Sequence, residues 1–149
     1  MSFASPTPHR GASMYARLGM ETAALSASPH QLIAMLFDAA ATSIAMARFH
    51  MGHKRIQAKA EATSRAINII DNGLKASLDP EAGGAAGKRL VENLSELYDY
   101  LVRKLMYANL HNDVAALDEA DRLLESVASA WREIEPDAQP SNVSVPLAA

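Results

Sequence analysis

His50 and His53 stand three residues apart, the spacing at which helical side chains share a face and can aim at one metal ion. Gly52 lies between them at an expected helix end, so both read as solvated loop side chains, as do His30 and His111. Metal pairs in helical bundles use Glu-x-x-His, and no glutamate here has a histidine three residues later. "FHMGHKRI", residues 49–56, also holds the His and Lys of a phosphotransfer module, which needs an exposed histidine in mid-helix. The glycine interrupts that helix, and a histidine phosphotransfer or metal-binding bundle is kept as the alternative reading. Asp118, Glu119, Asp121, Glu125 and Glu133 fall mostly on the polar side of one helix, as a solvated face and not an acid–base pair. Zero cysteines remove disulfides, thiolate catalysis and cysteine metal sites together. No catalytic residue, metal or cofactor is expected, and the chain does not read as an enzyme.

The elements that carry these residues are helices. A chain of 149 residues, 49% hydrophobic but only 5% aromatic, has the composition of one domain of packed helices. Ser28 as N-cap, Pro29 at the first helical position and Gln31 in a capping box open the first helix, which is expected to end where Gly52 stops it. A second helix spans about Lys54 to Leu78 on Ile56, Ala60, Ile67, Ile70, Leu74 and Leu78. "DPEAGG", residues 79–84, breaks it. The third helix carries Leu90, Leu94, Leu97, Tyr98, Leu101, Leu105 and Ala108. A fourth, capped near Asn112 or Asp113, carries Val114, Leu117, Ala120, Leu124, Val127, Trp131 and Ile134. Each is roughly 35 Å long at 1.5 Å per residue, and the short joints predict an all-α, antiparallel up-down four-helix bundle over 28–134. Its core is expected to include Leu36, Phe37, Leu94, Leu101, Leu124 and Trp131. Residues 1–13 read as a disordered leader, 14–27 as an N-terminal arm docking across the bundle, and 135–149 as a disordered tail.

A net charge of −3 and a pI near 5.9 supply no basic field for nucleic acid or an anionic membrane. No uninterrupted apolar run suggests membrane insertion, and "MSFASPTPHRGAS" has no signal core. A cytoplasmic monomer or weak homodimer is expected.

Three helices carry more apolar surface than a core needs. Opposite its core stripe (Ile33, Leu36, Phe37, Ala40, Ile44, Ala47, Met51), the first helix has Met35, Ala39, Thr42, Met46 and Phe49. The second has Ala58, Ala62, Ile69 and Ala76, and the third adds Tyr100, Tyr107 and Leu110. The fourth helix is charged on its reverse side, as a water-facing surface should be. Second apolar strips on three helices point to a groove for another helix, and methionine suits such a surface. Met35, Ala39, Met46, Phe49, Ala62, Ile69, Tyr100 and Tyr107 are the expected partner-binding residues.

"YARLGMETAALSASPHQLIAMLFDAA", "SLDPEAGGAAGKRLVENLSELYDYLVRKLMYANLHND" and "LLESVASAWREI" together resemble the flagellar secretion chaperone FliS family from about Tyr15 to Trp131. Ser28, Pro29, Gln31, Leu32 and Leu36 match its helix-opening motif, and Leu97, Tyr98, Asp99 and Tyr100 its motif on the third helix. Tyr15 matches the tyrosine before the first helix and joins the expected partner-binding residues. The resemblance implies a non-catalytic cytoplasmic bundle. It would bind the disordered C-terminal segment of flagellin, prevent early polymerisation and deliver it to a component of the flagellar export gate.

Overall fold

A computed structural model describes residues 25–134, so the expected leader and tail, and all but the last residues of the expected arm, lie outside the described part. The chain divides after Leu32 into two compact units. In the first, the backbone N–H of Ser28 donates to Gln31 Oε1 at 2.8 Å and that of Gln31 to Ser28 Oγ at 3.1 Å, the reciprocal capping box that the sequence predicts. His30 is not solvated as expected but 6% exposed.

That cap opens α1, Pro29–Gly52. α2, Ile56–Asn68, continues through a π turn at Ile69–Leu74 and a 3-10 turn at Lys75–Ser77. α3 is Gly84–His111 and α4 is Val114–Glu133. Among the described residues there is no strand, and the fold is an all-α four-helix bundle. Its antiparallel order follows from contacts that set the late part of one helix beside the early part of another. Arg48 of α1 pairs with Asp118 of α4 at 3.0 Å, and Lys104 of α3 with Glu119 of α4 at 3.2 Å. Leu36 of α1 lies against Gly73 of α2, where an added Cβ would stand 3.3 Å from its Cδ2.

Helix ends are set locally. After α1 it is Lys54, at φ 58°, that takes the left-handed conformation, and not Gly52; the N–H of Arg55 then closes on the carbonyl of His50 at 2.9 Å. Asn112, at φ 51°, ends α3, and Asp113 accepts from the N–H of Ala116 to start α4. The expected caps thus divide their labour, one closing a helix and the other opening the next. Gly87 has no substitute, since a Cβ there would lie 1.9 Å from the carbonyl oxygen of Ala82.

Phe37, Leu101 and Leu124 are buried in the core, while Leu36, Leu94 and Trp131 pack half-buried against it. α2 departs from expectation. Its buried residues are Lys59, Ala62, Thr63, Ala66, Ile70 and Leu74, whereas Ile56 is 72% exposed. A π turn carries about one more residue than an α turn. Extending a regular 3.6-residue period back from Leu78 through it therefore assigns the face one residue too late, to Ala60 and Ile67 where Lys59 and Ala66 are buried. This corrects the placing of Ala62, which is 1% exposed and belongs to the core instead of the partner strip.

The same shift buries a lysine. Lys59 Nζ donates to the Asn109 carbonyl at 2.8 Å and to Asn112 Oδ1 at 2.6 Å, placing a cation on the unpaired carbonyl end of α3, where the helix dipole favours it. Replacing Lys59 with Ala removes a charge-assisted cap and is expected to cost about 2 to 3 kcal/mol in urea unfolding. Leu101→Ala, which opens a cavity at a fully buried site, is expected to cost about 2 to 5 kcal/mol.

Candidate binding surfaces

Turning away from the core, α2 and α3 enclose an open groove of about 530 Å³ lined by Thr63, Ser64, Ile67, Met106, Tyr107, Asn109 and Leu110. Met106 is 58%, Tyr107 49% and Leu110 75% exposed. Three large apolar groups within five residues of one helix, facing water beside Ile67, form a ridge that a partner helix would cover. The groove wall also holds the side-chain oxygen of Asn109, buried and without a hydrogen-bond partner. The Tyr107 ring leans on His111 at 4.2 Å, and Lys104 Nζ lies 6.0 Å from its centre.

α1 presents a second apolar surface. Met46 is 42% and Phe49 52% exposed, while Met35 and Ala39 are half-buried. The Phe49 ring lies 4.3 Å from the His53 ring and 5.4 Å from that of His50, with the Arg55 guanidinium 5.7 Å away. His53 Nδ1 is 2.9 Å from the Phe49 carbonyl and His50 Nδ1 is buried. The two histidines therefore flank an aromatic ring.

Of the expected partner residues within the described part, Tyr107 lines the α2–α3 groove and Met46 and Phe49 belong to the α1 surface. Ile69 is half-buried against the core. Tyr15 lies outside the described residues. Tyr100 is half-buried at the α3–α4 contact, where its hydroxyl donates to Glu119. Met106 was not among the expected residues, although it stands four residues before Leu110, a spacing that puts both on one face.

A third apolar feature is a cavity of about 210 Å³ bounded by Phe37, Leu74, Leu94, Tyr98, Trp131 and Ile134. Burial pushes the Tyr98 hydroxyl up to about 12, so this wall stays neutral at any physiological pH.

Residues 11–138 match the family model described as flagellar protein FliS. The chain belongs to the FliS family. It is 52% identical over 128 residues to the flagellar secretion chaperone FliS of Salmonella typhimurium, covering 86% of this chain and 92% of that one. The FliS of Escherichia coli is 44% identical over 124 residues, 83% and 88% of the two chains. FliSB of Pseudomonas aeruginosa is 38% identical over 117 residues, 78% and 89%. FliS proteins are chaperones of flagellar secretion, a role that is not an enzyme class and that implies a protein client.

Two expectations test this geometry. The Tyr100 hydroxyl and then the Lys104 ammonium hold the Glu119 carboxyl below the usual glutamate range. A carboxyl with a lowered native pKa stabilises the fold above its unfolded value of about 4.3 and loses that contribution as pH falls through the native one. Wild type is therefore expected to exceed Glu119→Gln in stability at neutral pH, with the difference shrinking in urea titrations as pH drops below about 4. Met46→Glu, at an exposed site, should leave stability within about 0.5 kcal/mol of wild type. Ile69→Glu should unfold at clearly lower urea, because it forces a charge towards the core.

Proposed function

We propose that this protein binds the disordered C-terminal segment of flagellin in the cytoplasm, keeps it from polymerising, and hands it to a component of the flagellar export gate. The observation that carries the reading is the row Met106, Tyr107 and Leu110 beside Ile67, large apolar groups left exposed along an open groove in a chain of a secretion-chaperone family. A filament subunit must present apolar helical faces to its neighbours. A chaperone that lays those faces into a groove of matching character removes them from association. The client is disordered when free, so part of the interface energy goes into ordering it, and a long wrapped surface is favoured over one compact patch. Separate apolar surfaces on α1 and along α2–α3 suit a client of several short helices.

The protein is proposed to act as a monomer or weak homodimer, with the α1 strip and the α2–α3 groove both used by the client. Titration calorimetry with a peptide of the flagellin C-terminal segment tests the assignment. Tyr107→Asp and Leu110→Asp, at exposed positions, are expected to weaken binding at least tenfold, as loss of a central apolar contact does, with circular dichroism unchanged. Glu133→Ala, on the charged side of α4, should bind as wild type does. Equal affinity in all four proteins would remove the α2–α3 groove from the client's path.

A further inference from the structure

The cavity beside Trp131 lies at the point where the described chain ends. α4 stops at Glu133, and Ile134 leaves it in an extended conformation at ψ 109° while still lining the cavity. At about 210 Å³ the space, open to solvent at its Leu90 and Ile134 rim, is larger than the roughly 150 Å³ that takes up a benzene-sized group. Apart from the hydroxyls of Tyr98 and Ser77 the lining is apolar, with Phe37, Leu74, Leu94, Trp131 and Ile134 prominent, so an apolar side chain is the favoured filling.

The fifteen residues that follow, "EPDAQPSNVSVPLAA", carry Val143, Val145 and Leu147 at alternate positions with Pro146 between the last two. Alternate side chains share one face of an extended segment, and a proline biases the residue before it towards that conformation. The nine residues from Ile134 to Val143 reach about 30 Å when extended, ample to turn back onto a cavity with Ile134 on its rim. A short tether also gives the segment a millimolar-scale effective concentration, above that of a freely diffusing ligand at low abundance. Residues 139–149 lie beyond the family match at 11–138.

We propose that the protein's own C-terminal segment folds back so that Val143, Val145 and Leu147 fill the cavity beside Trp131. The segment is a built-in cover for one apolar end of the bundle, independent of the groove assigned to the client. Trp131 is the sole tryptophan of the chain, and its emission reads the occupancy directly. In the full-length protein, Val145→Asp combined with Leu147→Asp is expected to shift Trp131 emission to longer wavelength and to raise its quenching by acrylamide. A chain ending at Gln139 should do the same, with circular dichroism unchanged in both. Adding the peptide of residues 140–149 to the shortened chain should reverse the shift, and the peptide bearing both aspartates should not. Unchanged emission in the two variants, or a wild-type peptide without effect, would overturn the proposal. So would a shift produced by deleting residues 1–24 and not by altering the tail, which would give the cavity to the N-terminal segment. A shift that depends on protein concentration would give it to a second copy.

Discussion

The close approach of four helices over small residues governs what the rest of this molecule can do. Ala40 and Ala47 on α1, Ala62 and Ala66 on α2, Ala108 on α3 and Ala116, Ala120 and Ala128 on α4 are all buried. They alternate with Ile70, Leu74, Leu101, Leu105, Leu117 and Leu124, which fill the space the alanines leave. Small residues let helix backbones come near one another and large ones interdigitate. A seam built this way is complete with few large side chains, so the remaining bulky apolar groups are left outside. Phe49, Met106, Tyr107 and Leu110 are exposed because nothing in the core has room or need for them.

α1 shows the consequence most clearly. It is long and apolar enough, by length and composition, to cross a membrane, yet one face enters the bundle core through Phe37, Ala40, Ile44, Ala47 and Met51. Its surplus apolarity belongs to the Met46 and Phe49 surface, and an ion pair between Arg48 and Asp118 borders it. A helix that is apolar on two faces is satisfied either by lipid or by protein on both. Here the core supplies one side, and the proposed client supplies the other.

Polar contacts then fix which way the helices face. Lys104 and Tyr100 meet Glu119, Lys75 meets Asp99 at 2.7 Å, and Arg132 meets Glu125. These groups are partly exposed, so each pair adds little to stability. Lys104 and Tyr100 hold α3 against α4 through Glu119, Lys75 ties the turn after α2 to α3 through Asp99, and the Arg132–Glu125 pair lies within α4. Lys59 is the exception, a 4% exposed cation whose bonds to Asn109 and Asn112 join two helix ends beside the groove wall.

The sequence by itself determined the elements and the family. Ser28, Pro29 and Gln31 form a cap from residues three apart, Asp113 and Asn112 lie at a joint of two residues, and the leucine period of α3 and α4 is unbroken. Local bonding and a regular 3.6-residue period need no partner to be read. The tertiary structure alone decided which side of α2 is buried, because the π turn at Ile69–Leu74 shifts the face by one residue and leaves no mark on composition. Ala62 went to the core for that reason, whereas Ile56, seven residues before buried Thr63 and so on the same face, is exposed as the first residue of α2. It also decided that the expected partner residues are dispersed over separate surfaces, since two strips that look alike on helical projection join only if their helices are neighbours on the same side. Met106 and Lys59 acquired their importance only from what faces them across the α2–α3 contact, a long-range relation that no window of sequence contains.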